Sequence, residues 1–279
     1  MNSDPIASLS VDQLETRTSS WPEIISTFPN LVAEIENHAV RLVRMLPKVE
    51  RSPLGTGVLD SDGCFQVDLD AISSAYAIAK NDSSAPDPRL EFDFPDYPGL
   101  VRLWDIFDPG AETLPSVMAS LFSTDRFTLR KLQEDRETQR LDRPICPCCQ
   151  RKAAERVRYA SMHPLFDIFM SATRKSEPLR VRAAAPYADF SVPILPFNVE
   201  VDQGIITVID EDCPTAFHVA IRWLHAMGIK QVKLDGTSYA QLVGYDSFGG
   251  ELFHVASPNP EDCEEWKDSC EWSKQFFTR

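Results

Sequence analysis

Between Gly110 and Gly204 the chain contains no glycine. A tight phosphate-cradling loop needs glycine where the backbone must approach the anion, so neither a G-x-G-x-x-G nor a P-loop can lie in that stretch. G-x-S-x-G, H-E-x-x-H and paired H-x-E with P-C-x-x-C are also missing from the whole sequence. The common glycine-marked nucleotide folds are thereby excluded from the middle of the chain. Apolar residues make up 43% of the 279, with 16 Phe and 5 Trp, which is enough apolar surface to offset chain entropy and exclude a disordered acidic chain. Apolar runs such as 205–209 fall far short of the roughly 18–20 residues that span a bilayer.

Hydrophobic spacing predicts a mainly helical N-terminal and middle region. Leu31, Ile35, Leu42 and Leu46 fall near one helical face and Pro47 ends the run. Asp68 or Asp70 can cap a helix over 71–80 after a short strand at 63–67, and further helical patterns run over 99–107, 115–122, 124–141, 150–162 and 164–174. The last hundred residues change style. Strands are expected at 190–201, 205–210, 229–234, 239–245 and 251–256, with a helix at 214–227 stopped by Gly228 and a final acidic helix from about 261 to 277. The expected class is α+β or α/β: helices first, then a C-terminal domain with a small mixed sheet and at least one βαβ unit. In that unit Val208 and Val232 would lie in neighbouring parallel strands. The segments are a loosely ordered arm (1–20), an α-rich region (21–98) closing with an irregular Pro- and Asp-rich linker (81–98), a helical middle (99–182) and an α/β domain (183–279).

Formal charge is −14, unevenly placed: residues 126–182 carry 14 basic and 7 acidic side chains while both flanks are acidic. Arg151, Lys152, Arg156 and Arg158 could form an anion-binding strip on one helix, or a solvated face. The overall acidity favours a basic protein partner over nucleic acid, which stays possible but secondary. Seven cysteines, an odd number, argue against a disulfide framework, and the polar start of the chain has neither a basic nor an apolar leader segment. The expectation is a cytoplasmic protein with reduced thiols and no membrane association.

Cys146-Pro147-Cys148-Cys149 is the most specific local motif. Cys146 and Cys149 form a C-x-x-C pair that resembles a zinc knuckle, with Cys148 and His163 as the nearest further ligands; an inert packing cluster and a redox pair remain as alternatives. Cys263 and Cys270, seven residues apart on a helix, stand about 10 Å apart along its axis and read as packing. Asp210, Glu211 and Asp212 follow a strand, where α/β sheets place ligand crevices, but they also suit a helix start. His218 and His225 read as boundary residues of the 214–227 helix.

The segment from Thr215 to Gly236, an amphipathic helix with a Gly stop followed by a strand, resembles the helix–strand unit of Rossmann-like glycosyltransferases of the bacterial sialyltransferase type. That resemblance implies a divergent transferase with a site near Asp210, Asp212 and His218. The reading preferred over it is a non-catalytic binding or regulatory protein, a zinc-stapled bacterial or phage-type inhibitor or adaptor acting through acidic surfaces.

Overall fold

The segment expected as one helix over 31–46 is instead two antiparallel strands, Leu31–Glu36 and Val40–Met45, in the computed structural model. That model describes residues 9–17, 20–53, 57–79, 88–95, 99–106, 113–141, 146–185, 187–211, 213–234 and 236–277. Asn37 makes the turn: its Oδ1 accepts from the backbone N–H groups of Ala39 and Val40, and its Nδ2 donates to the Leu252 carbonyl. A side chain that satisfies the loop backbone in this way replaces a glycine or proline breaker. All four leucine and isoleucine positions of the supposed helical face are buried.

The same substitution of strand for helix recurs along the chain. In place of the helix expected over 71–80 stand a short 3-10 turn, Leu69–Ala71, with Asp68 accepting from the Asp70 N–H, and then the strand Ser74–Ile78, while residue 80 lies outside the described residues. Leu100–Asp105 and Ser123–Thr128 are strands, whereas the helix expected at 115–122 is present as Leu114–Phe122 and that expected over 124–141 begins at Leu129 and runs to Leu141. Part of the supposed arm, Ser10–Leu14, is a paired strand, and Arg89–Asp93 inside the supposed linker is another. The molecule is therefore mostly antiparallel sheet and not mainly helical in its N-terminal and middle regions, although the helices Pro147–Arg158 and Pro164–Lys175 stand close to those expected at 150–162 and 164–174.

The chain divides into two units, the first comprising residues 1–35, 45–144 and 185–189, the second 36–44, 145–184 and 190–279. In the first, six strands lie in the order Ser123–Thr128, Ser10–Leu14, Ser74–Ile78, Arg89–Asp93, Leu100–Asp105 and Leu31–Glu36. The helix Leu129–Leu141 seats Leu129 and Leu132 on Leu9, Val11, Tyr76 and Ile78 of this sheet.

In the second unit, four strands run in the order Val40–Met45, Thr215–Ala220, Ile205–Asp210 and Pro196–Asp202. Five more run in the order Ala226–Leu234, Thr237–Tyr245, Glu251–Ser257, Leu179–Ala185 and Ala188–Ile194. Phe217 stands edge-on between Phe169 of the helix Pro164–Lys175 and Phe253, with centroids 6.0 and 5.9 Å apart, so a continuous aromatic core joins the layers. The expected helix over 214–227 does not exist: Thr215–Ala220 is a strand, Ile221–Trp223 a 3-10 turn, and Ala226–Leu234 the next strand. With no crossover helix there is no βαβ unit here. Val208 pairs antiparallel with Phe217 and Val199, and Val232 pairs with Tyr239. Among the described residues no helix is long and apolar enough to cross a membrane.

Candidate ligand sites of the second unit

Two groups of chemistry-bearing side chains stand out in this unit. The first is the outward face of the four-stranded sheet. In antiparallel pairing, residues directly opposite share a face. His218 lies opposite Thr207 on one side and Arg41 on the other, so the three form a row across the sheet. The next rows place Ala216 beside Val43 and Ile209, and Ala220 beside Ile205. Strand alternation sends Phe217 and Val219 to the core and leaves on this face Val43, Ala216, Ala220, Ile205 and Ile209 around one imidazole, with Asn198, Glu200 and Asp202 of the edge strand opposite Ile209, Thr207 and Ile205. Ile205 and Ile209 are 40% and 38% exposed. His218 Nδ1 and Thr207 Oγ1 lie 3.0 Å apart, a contact that orients the ring through one of its two nitrogens. Burial, helped by the Arg41 charge, lowers the His218 pKa and favours the neutral ring.

The second group is the cysteine motif. Pro147 opens the helix Pro147–Arg158 and Cys146 caps it, its sulfur accepting from the Cys149 N–H at 3.4 Å. The two C-x-x-C thiols are thereby turned toward one point. His225, from the segment after the 3-10 turn, brings Nδ1 to 3.2 Å from Cys149 Sγ, 3.4 Å from Cys146 Sγ and 4.0 Å from Cys148 Sγ. Ligand atoms of Cys146, Cys148, Cys149 and His225 all fall within 4.8 Å of one another. Burial pushes the Cys146 thiol up, but hydrogen bonds from Cys148, Cys149 and His225 outweigh it and hold the pKa at about 6. Cys149, fully inside, is pushed up to about 11 by burial and by its bond to Cys146.

The other residues singled out from the sequence go elsewhere. His163 is not part of the cluster: it caps the helix Pro164–Lys175, its Nδ1 accepting from the Leu165 N–H, and burial drives its pKa down to about 3. Arg156 donates to the Leu224 carbonyl at 2.5 Å and to Cys149 Sγ at 3.5 Å. Arg151 and Arg158 are exposed, with Arg158 lying over the Tyr159 ring, and Lys152 is half-buried. Asp210 closes a loop, accepting from the Leu195 and Cys213 N–H groups at 2.7 and 2.9 Å, while Asp212 lies outside the described residues. His225 escaped the sequence reading because it was assigned to a helix that is absent, and its cysteine partners are 76 to 79 residues away.

The sequence matches no protein-family model and no curated protein, yet its fold is that of a group of solved bacterial structures. Holo-PhuS, described as a heme-binding protein from Pseudomonas aeruginosa, has a TM-score of 0.63 at 10% identity, covering 93% of this chain and 86% of its own. The heme degrading enzyme ChuS of Escherichia coli O157:H7 gives 0.64 at 11% identity, covering 94% and 86%. A second E. coli ChuS structure, described as a heme oxygenase, gives 0.61 at 10%, covering 94% and 88%.

These findings correct three expectations. The inhibitor or adaptor reading falls, because the solved proteins of this fold are described as heme-binding or heme-degrading. The transferase alternative falls with the helix it required. Zinc, the expected cofactor, finds no support in the comparisons: the solved structures of this fold are described as binding or degrading heme.

Proposed function

We propose that this chain binds heme on the outward sheet face of the second unit, where His218 would hold the iron through Nε2. The supporting observation is the row formed by Arg41, His218 and Thr207. A neutral imidazole whose other nitrogen is held by a hydroxyl is the arrangement that orients a histidine for a metal. The surroundings fit a flat porphyrin as well. Ala216 and Ala220 keep the strand low on either side of the ring, Ile205 and Ile209 offer exposed apolar contact, and the exposed Arg41 supplies a cation for a propionate. Bound heme would supply redox-active iron at this face, and the protein's part is to orient it and tune it through the Thr207 contact. Seven thiols without a disulfide suit a reducing compartment, and we place the protein's work in the cytoplasm.

The test is a heme titration followed in the Soret band, with His218→Ala and Cys146→Ser beside the parent. The expected result is saturation at one equivalent with a histidine-type spectrum, affinity lowered at least about tenfold in His218→Ala, and no change in Cys146→Ser. Equal binding by His218→Ala would overturn the assignment, as would a thiolate-type spectrum that disappears in Cys146→Ser.

A further inference from the structure

We infer that Cys146, Cys148, Cys149 and His225 form a site for one divalent, thiophilic metal ion, separate from the heme face. Three independent features converge on it. The first is donor geometry. An ion about 2.3 Å from sulfur and about 2.0 Å from nitrogen in a tetrahedron sets its donors roughly 3.5 to 4 Å apart. The three distances from His225 Nδ1 to sulfur, 3.2, 3.4 and 4.0 Å, bracket that spacing. The Cys146 and Cys148 sulfurs are closer together, at 2.7 Å, and would open on binding.

The second is the support around the sulfurs. The Cys149 N–H already donates to Cys146 Sγ, and the Arg156 guanidinium lies against Cys149 Sγ, anchored by the Leu224 carbonyl one residue before His225. Such donors orient thiolates and disperse their charge. The third is charge balance. Three thiolates and one guanidinium leave two negative charges, which a divalent ion cancels. Soft sulfur donors select thiophilic ions over magnesium or calcium. Cys148 and His225 are exposed while Cys149 is buried, so an ion reaches the site from solvent and becomes enclosed on one side. Once bound, it would tie the start of the helix Pro147–Arg158 to the chain between the 3-10 turn and the strand Ala226–Leu234.

Cobalt(II) titrated into reduced, heme-free protein tests this directly. One equivalent should produce thiolate-to-cobalt charge transfer together with the visible bands of a tetrahedral ion. His225→Ala should weaken the binding at least about tenfold, Cys149→Ser should abolish the tetrahedral spectrum, and His163→Gln should titrate like the parent. If Cys149→Ser does not fold, the exposed Cys148→Ser carries the same test. Absence of charge transfer in the parent would overturn the site, and so would a His225→Ala titration identical to the parent's. A Cys146–Cys148 disulfide recovered directly from cells would overturn it in favour of a redox pair.

Discussion

Glu91 of the first unit and His218 of the second are built alike and behave oppositely. Each sits on a strand flanked on both sides, and each has an arginine directly opposite, Arg102 for Glu91 and Arg41 for His218. Around Glu91 the charges are complementary. The carboxylate, 1% exposed, accepts from Arg89 at 2.6 Å, from Arg102 at 3.2 Å and from Arg136, which also pairs with Asp93 at 2.9 Å. Burial alone would raise its pKa, but Arg136, Arg102 and Arg89 together reverse that and hold it at about 2. Around His218 the arginine repels the charged ring, and a single hydroxyl takes one of the two nitrogens. A buried polar group whose bonding capacity is filled from within is structural; one with a coordinating atom to spare is a place for a ligand.

The sharpest way to break this contrast is Glu91→Ala. It leaves Arg102 and Arg136 without their shared carboxylate in a buried setting, and unfolding in urea should show a loss of about 3–5 kcal/mol. A loss below about 1 kcal/mol would mean that the arginines find water instead, and the network would then not be structural.

Acid provides a second, smaller handle. The folded pKa of about 2 lies below the ordinary 4.5, so in between the unfolded chain binds the extra proton. The stability from Glu91 is complete above about pH 4.5 and is lost as pH falls toward 2, about 3 kcal/mol in all. Measured against Glu91→Gln, whose side chain stays neutral at every pH, the parent's advantage should shrink across that window and vanish near its lower end. An advantage that does not vary with pH would show that the carboxylate's charge contributes nothing.

Neither Glu91 nor His218 was placed correctly by sequence, and the reasons differ. Arg89–Asp93 is bordered by Pro- and Asp-rich composition that reads as linker, although Leu90 and Phe92 already alternate with charges as a strand requires. Around His218 the burial was legible and the period was not. Phe217, Ile221 and Leu224 are all buried, but their spacing of four and three arises because a period-two strand runs into a three-residue 3-10 turn. That combination imitates a helical face. Likewise the two strands at 31–46 meet at Asn37 with no glycine or proline to mark the turn. The cysteine motif was legible because its three thiols come from one turn. His225 was not, since only the fold of the second unit brings it there.

The smallest expected effect closes the comparison from the other side. If His218 is kept for a ligand and not for the fold, removing it costs little without heme. His218→Ala gives up one hydroxyl contact at a half-buried position and relieves repulsion with Arg41, so the heme-free protein should lose no more than about 1 kcal/mol. With heme present the difference should widen, because a ligand that binds only the folded state stabilises it in proportion to its affinity, and the variant forfeits that gain. Thermal unfolding of both proteins, with and without one equivalent of heme, separates the two contributions. A variant that melts far below the parent in the absence of heme would make His218 a structural residue like Glu91, and the distinction between the two sites would collapse.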